Sequence, residues 1–160
     1  MQHAQDPLQA RFGKAIGYTL RKIVASVHVF DTAALCCDVP LCLWLCFDRL
    51  PGVRLSGAAD GWSIQADDTP PEPIDLEESG EIILRDVSRK SVFQRALGRD
   101  LQAAWSVQSA PTGDVIGIRF DFGQSITPCV LNWGDELYIA EHYPADASQH
   151  ELREVPIGPA

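Results

Sequence analysis

The stretch from Val115 to Glu141 constrains the fold most, because its apolar and polar residues alternate. Apolar side chains recur at every second position: Ile116, Ile118, Phe120 and Phe122. This is the period of a strand with one buried face. A second apolar run, Ile126 to Leu131, leads into the turn Asn132-Trp133-Gly134-Asp135-Glu136, and strand character resumes at Leu137. The stretch therefore predicts two or three antiparallel strands.

The rest of the chain predicts further strands and two short helices. Asp6 followed by Pro7 is typical of a capped helix start, and Ser91 begins a second such pattern. Strand patterns are predicted in five other segments: from Leu20, then 41–47, 53–55, 81–87 and 101–107. Residues 67–80 hold three prolines and six acidic residues with little to bury, so we expect an extended connector.

The two halves resemble each other, each having a capped helix, a glycine stop and then strands. Gly17 and Gly98 are 81 residues apart (98 − 17), whereas Phe47 and Phe120 are 73 apart (120 − 47). One eight-residue difference within 31–40 reconciles the two offsets. Either the halves are a pseudo-repeat, about 6–66 and 91–141 joined by the connector 67–80, or the matches arose by chance.

We therefore expect an α+β fold that is mostly antiparallel β, with about seven or eight strands in one or two packed sheets. Two similar helix-plus-meander halves would share one core within a single domain, 1–160, because neither half alone can bury enough surface. The two short helices would lie outside the sheets.

The formal net charge is −9, from 22 acidic and 13 basic residues. This charge disfavours nucleic acid and anionic membranes as partners and is compatible with a basic protein. No secretory signal pattern is present at the N-terminus, and the most apolar run, Val39 to Phe47, is about half as long as a spanning helix. We expect a cytoplasmic protein that binds neither nucleic acid nor membrane; a homo-oligomer stays open.

Five cysteines, an odd number, favour a reducing compartment over a disulfide framework. Four of them cluster: Cys36, Cys37, Cys42 and Cys46. Their spacing is poor for zinc, and the cluster and Cys129 are interpreted as buried structural residues. No motif places a histidine beside a nucleophile. The sequence predicts no cofactor and no metal site.

Four carboxylates come close together if the last strands form hairpins: Asp121, Asp135, Glu136 and Glu141. Such a group could serve acid/base hydrolysis or bind a hard cation. Asn-Trp-Gly-Asp is also a favourable turn in which the carboxylates are only solvated. A third interpretation makes Trp133, flanked by Asp135 and Glu136, an anchor for a basic partner. These residues are the candidate contact residues, and none is assigned a catalytic role.

The segment Gly117 to Ile139, with Gly-Ile-Arg-Phe-Asp-Phe-Gly followed by Asn-Trp-Gly-Asp-Glu-Leu, resembles small bacterial immunity proteins of polymorphic and contact-dependent toxin systems. The resemblance implies a cytoplasmic, non-enzymatic protein that binds and neutralises a cognate toxin domain. Two alternatives from other classes stay open: a small carboxylate-based hydrolase or metal-dependent enzyme, and a structural subunit of a homo-oligomer.

Overall fold

The computed structural model describes residues 6–30 and 39–160. Cys36, Cys37 and most of the predicted loop 31–40 lie outside these ranges. The described residues form one α-helix, three 3-10 helices and eleven strands in two antiparallel sheets. The predicted α+β, mostly antiparallel class is confirmed. The expected seven or eight strands were too few.

The first sheet has six strands in the order β4-β3-β2-β1-β6-β5. In chain order they are β1 (Leu20–Val29), β2 (Cys42–Phe47), β3 (Val53–Gly57), β4 (Ile64–Asp67), β5 (Ile74–Asp75) and β6 (Glu81–Asp86). Its inner face carries the β-branched and leucine side chains that alternate along the strands, among them Ile23, Leu43 and Leu55. Sequential pairing from β1 to β4 makes a meander, and β6 then adds to the free side of β1.

The second sheet has five strands in the order β10-β9-β8-β7-β11. They are β7 (Ala103–Ser109), β8 (Val115–Asp121), β9 (Cys129–Trp133), β10 (Glu136–Ala140) and β11 (Leu152–Ile157). As in the first sheet, four consecutive strands form a meander, here β7 to β10. The strand that comes last in the chain, β11, then pairs with the free side of β7. Both added strands, β6 and β11, lie outside the predicted halves 6–66 and 91–141.

Only the first of the two predicted helices is α-helical. It spans Pro7–Ala15, and the Asp6 carboxylate caps it by accepting the N–H of Leu8 at 3.0 Å. The second is a 3-10 helix, Val92–Ala96, capped by Ser91. Only six residues separate Ser91 from Gly98, and a helix this short commonly adopts 3-10 hydrogen bonding. The prediction of two short helices is therefore confirmed only for the first of them as an α-helix.

One hydrophobic cluster contains buried residues from both sheets and both of these helices. Its centre is aromatic: Phe120 of β8 has its ring centroid 5.2 Å from Phe12, 5.7 Å from Phe93 and 6.0 Å from Phe122. The first two pairs are edge-to-face, which is a favourable geometry for aromatic rings. The strand with the clearest alternation in the sequence, β8, therefore supplies the residue at the centre of this cluster.

The two sheets also meet through the segments that follow the helices. The Gly17 amide donates to the Leu101 carbonyl at 2.7 Å, and the Gly98 amide donates to the Leu20 carbonyl at 2.9 Å. Both glycines have positive φ, 89° and 75°, a conformation that glycine adopts without steric cost. Thr19 and Asp100 form an antiparallel bridge between these contacts.

Candidate partner-binding site

Two loops, one from each sheet, meet at one end of the molecule. The Asn132 side chain in β9 donates to the Ser63 carbonyl, in the loop between β3 and β4, at 2.9 Å. Asn132 is only 1% exposed. Gly57 faces it closely, since a Cβ at that position would lie 3.1 Å from the Asn132 amide nitrogen. The amide thus fixes the loop of the first sheet against the hairpin of the second.

The hairpin between β9 and β10 has a two-residue turn, Gly134 and Asp135. Both residues have φ of 63°, and Trp133 pairs with Glu136 across the turn. Positive φ at both central positions is the type I′ geometry that matches the twist of antiparallel strands. The tip residues Gly134, Asp135 and Glu136 are exposed. The predicted turn is therefore confirmed as a turn.

The loop between β3 and β4 is held by one of its own side chains. The Asp60 carboxylate accepts the Trp62 and Ser63 amides, both at 2.8 Å, and the Ser63 hydroxyl at 2.7 Å. These hydrogen bonds, the one from the Ser63 hydroxyl above all, lower the pKa of Asp60. Asp60 therefore carries its charge in an ordered loop at the surface.

Three aromatic rings pack together between these loops. Trp133 lies 6.3 Å from Trp62 and 4.8 Å from His150, and the Trp62 and His150 rings are 6.1 Å apart. All three are partly buried, and the Trp62 indole nitrogen is buried without a hydrogen-bond partner among the described residues. We call Trp62, Trp133 and His150 the aromatic cluster.

Exposed carboxylates lie beside the aromatic cluster in both loops. The Asp135 carboxylate lies beside the loop of the first sheet, since a Cβ at Gly61 would be 3.6 Å from its Oδ1. Asp60, Asp135 and Glu136 are all exposed, and we call them the acidic rim. Sequence reasoning found three of these six residues and missed Asp60, Trp62 and His150. One available signal was that Asp60-Gly61-Trp62 repeats, in reverse order, the residue types of Trp133-Gly134-Asp135.

Asp121 and Glu141 are not part of this site. By the register of β8 with β9, Asp121 is level with position 127, six residues before Trp133, or roughly 20 Å at strand spacing. The Asp121 carboxylate accepts the Gly123 amide at 2.7 Å, and Glu141 lies 3.8 Å from the Arg95 guanidinium. The five predicted contact residues therefore fall at two opposite ends of the second sheet.

The segment between β10 and β11 carries His150 to the aromatic cluster and is anchored on Arg119. The Arg119 guanidinium lies over the Tyr143 ring, 4.2 Å from its centroid, and pairs with Glu154 at 3.0 Å. Its Nε also donates to the Tyr143 hydroxyl at 3.1 Å, and the Tyr143 hydroxyl donates to Glu154. Burial raises the pKa of Tyr143. This network fixes the segment on the outer face of the second sheet.

Of the predicted buried cysteines, Cys42 and Cys129 are buried and Cys46 is partly buried. The Cys42 thiol lies 3.0 Å from the Ser26 hydroxyl in an open groove of about 590 Å³ on the outer face of the first sheet. Residues 69–72 of the connector run over this groove. Arg54, which lines this groove, forms a salt bridge with Asp67 at 2.8 Å.

Within 6–30 and 39–160, no group of three or more His, Cys, Asp or Glu side chains is placed to hold a metal ion. No helix in the same ranges is long and apolar enough to cross a membrane. The chain matches no protein-family model, no curated protein and no solved structure.

Proposed function

We propose that this chain is an immunity-type protein of the bacterial cytoplasm, which binds and neutralises a cognate toxin domain without catalysis. The acidic rim around the aromatic cluster is the observation that supports this proposal most directly. Trp62 and Trp133 present partly buried indoles, the kind of side chain that dominates binding energy at protein interfaces. The rim carboxylates and the net charge of −9 favour a basic partner.

The two loops of the site are held in one conformation in the free protein, so the surface is preorganised for binding. A two-residue turn, the Asn132 amide and the Asp60 carboxylate fix both loops in one conformation. Preorganised loops lose little conformational entropy on binding, so more of the contact energy appears as affinity. The exposed rim would mainly raise the association rate, because long-range charge attraction acts before contact.

The test uses the toxin-domain candidate encoded by a gene adjacent to that of this protein. We expect a complex by calorimetry and rescue of growth when the two are co-expressed. Trp133→Ala should weaken the complex about thirtyfold or more, since an anchor indole is worth about 2 kcal/mol or more. The absence of both complex and rescue would refute the proposal.

The contribution of charge has a matched control. Asp135→Asn with Glu136→Gln removes two rim charges, and Asn also tolerates the positive φ at position 135. Asp121→Asn with Glu141→Gln removes two charges at the opposite end of the second sheet, roughly 20 Å from the hairpin tip at strand spacing. Only the first pair should lower the association rate and flatten its salt dependence. Equal effects of the two pairs would mean that net charge, not this surface, attracts the partner.

The two alternatives make different demands on the structure. A carboxylate-based hydrolase that uses Asp121 with Asp135 and Glu136 needs them in one cleft, whereas Asp121 is roughly 20 Å from the hairpin tip at strand spacing. A structural homo-oligomer predicts self-association of the purified chain. Light scattering on the free protein separates that alternative from a monomeric binder.

We also propose that the two halves derive from one duplicated unit. The support is the common strand order of the two sheets and the reciprocal hydrogen bonds at Gly17 and Gly98, which are related by the offset of 81 residues. Phe12 and Phe93 have the same offset and both contact Phe120. A relative whose halves align along their whole length at these offsets would support duplication; relatives in which only one half is kept would count against it.

A further inference from the structure

The strand β6 has an open edge over more than half of its length. Of its six residues, only Glu81 and Ile82 pair with β5, and in the described residues no strand pairs with the outer side of the remaining four. Pro73 precedes β5 and lacks an amide hydrogen, so it cannot donate a further ladder bond. An open edge can accept another strand.

The direction of the backbone groups along this edge follows from one hydrogen bond. The Val87 amide donates to the Ile23 carbonyl at 3.0 Å, so residues 81, 83, 85 and 87 direct their N–H and C=O groups toward β1. Leu84 and Asp86, which alternate with them, direct theirs away from β1. Ile82 does the same and pairs with Ile74 of β5. Leu84 and Asp86 therefore offer two donors and two acceptors to an added strand.

A cavity of about 480 Å³ lies on the inner side of this edge. Its lining is mostly apolar: Ile23, Ala25, Val27, Leu43, Phe93 and Ile139. Three consecutive residues at the end of β6, Arg85, Asp86 and Val87, also line it, so the cavity reaches the open edge. Side chains of an added strand alternate between the two faces of the sheet, and those on the inner side would enter the cavity.

The cavity lies beside the short second helix, whose residues Val92 and Phe93 line it. In α1, Leu8 lies four residues before Phe12, and both are buried in the core. Four residues before Phe93 the chain has Arg89, which is exposed and precedes the five-residue 3-10 helix. Residues 89–91 are arginine, lysine and serine, so the turn before Val92 supplies no apolar side chain that corresponds to Leu8. An apolar side chain from outside the chain can fill this space.

The outer side of the edge carries exposed apolar residues and acidic charge. Leu84, Ile74 and Leu76 are 37%, 49% and 36% exposed. Beside them lies an acidic strip of exposed carboxylates: Asp75, Glu77, Glu78 and Glu81. A second copy of this chain would bring the same acidic strip to the edge and be repelled, whereas a segment that contains lysine or arginine would be attracted.

We infer that the open edge of β6 is a docking site for an extended segment of a partner protein, in which apolar and basic residues alternate. The segment adds as a strand beside Leu84 and Asp86. Its apolar side chains enter the cavity, and its basic side chains pair with the acidic strip. This inference does not depend on the toxin proposal, because the edge and the acidic rim are separate surfaces.

The probe is a fluorescein-labelled seven-residue peptide that alternates lysine with isoleucine, titrated with the full chain by fluorescence anisotropy. Three control peptides separate the contributions: one has glutamate for lysine, one has the same residues without alternation, and one is N-methylated at every second amide. N-methylation removes main-chain hydrogen bonds and keeps the side chains. We expect each control to bind about tenfold more weakly or worse. Equal binding of the N-methylated peptide would overturn strand addition.

Two variants of the protein test the same site, in addition to the variants of the peptide. Leu84→Pro removes an outward amide that makes no bond to β1, and Leu84→Thr, which keeps that amide, is its matched control. Ala25→Leu places a larger side chain in the cavity and leaves the edge open. Leu84→Pro and Ala25→Leu should each weaken the peptide about tenfold, and Leu84→Thr by much less.

Amide hydrogen exchange keeps the inference testable if either variant is poorly folded. In the wild-type chain, saturating peptide should slow exchange at Leu84 and Asp86, because their amides point outward, and leave Ile83 and Arg85 unchanged. Protection that is absent at Leu84 would overturn the inference. A dimer of the free chain that Leu84→Pro dissociates would identify a second copy as the occupant, and would overturn it as well.

Discussion

Replacing Arg119 with methionine should lower the free energy of unfolding by about 3 kcal/mol. The Arg119 side chain is 16% exposed and contacts three parts of the chain. It donates to the Thr127 carbonyl at 2.9 Å and to the Tyr143 hydroxyl at 3.1 Å, and it pairs with Glu154 at 3.0 Å. Methionine keeps most of the aliphatic stem and removes every one of these polar contacts.

The magnitude follows from the burial of the groups that lose their partner. Breaking a fully buried ion pair by removing one member costs about 3–5 kcal/mol, and an exposed pair is worth about 0–1 kcal/mol. Glu154 is 40% exposed, so its pair with Arg119 falls between these limits. The bond to Thr127 adds about 1 kcal/mol and the contact with the Tyr143 ring about as much.

Urea unfolding measures the effect, and Arg54→Met is the matched control. Among residues 6–30 and 39–160, Arg54 has one polar partner, Asp67 at 2.8 Å, and the two side chains are 30% and 31% exposed. The control should lose about 1 kcal/mol or less. If Arg119→Met also lost less than about 1 kcal/mol, the network would not anchor the segment, and its role in placing His150 would have to be abandoned.

Two further predictions concern single positions. Gly80→Ala should lower the free energy of unfolding by at least about 2 kcal/mol more than Gly113→Ala. Both glycines have positive φ, but of the two only Gly80 has backbone where a Cβ would lie, 2.3 Å from the Val29 carbonyl oxygen. Equal losses of stability in urea unfolding would contradict the close approach. Burial raises the pKa of the Cys129 thiol from 9.0 to about 11, so the folded chain holds this proton more tightly and stability falls as the pH rises from about 9 to 11. The loss should be about 2–3 kcal/mol greater in the wild type than in Cys129→Ala, and parallel pH profiles would show that the thiol does not cause it.

The strands that could be predicted from sequence are those with regular alternation and clear boundaries, β8 above all. The strand β11 has no such pattern, because it pairs on one side only and contains Pro156, a residue that fits an edge strand and weakens any sequence prediction of one. The helix at Val92–Ala96 was predicted in place but not in type, since a capping residue indicates where a helix begins and not how many residues follow.

The candidate site was only half predictable for a different reason. Trp133, Asp135 and Glu136 are adjacent in sequence, so a turn prediction brings them together. Trp62 reaches Trp133 across 71 residues (133 − 62), and this contact depends on how the two sheets are stacked. Asp121 and Glu141 were expected to lie close to Asp135 and Glu136 if the last strands formed hairpins. Asp121 ends β8 and Glu141 follows β10, whereas Asp135 lies in the turn between β9 and β10. Successive turns of a meander lie at opposite ends of the strand between them, so the chain order alone separates these carboxylates.

The two proposed surfaces lie where the two halves of the fold differ. Apart from β5, the strands of the first sheet follow the order of the second, and the contacts that hold the sheets together at Gly17 and Gly98 are reciprocal. The meander turns differ: six residues, 58–63, join β3 to β4, and two join β9 to β10. This difference lets the longer loop bring Trp62 over to the tip of the shorter hairpin. The helices also differ in length, and the shorter one lines the cavity beside β6. Residues that maintain the common scaffold are constrained by packing in both halves, so specific binding is expected at the positions where the halves depart from each other.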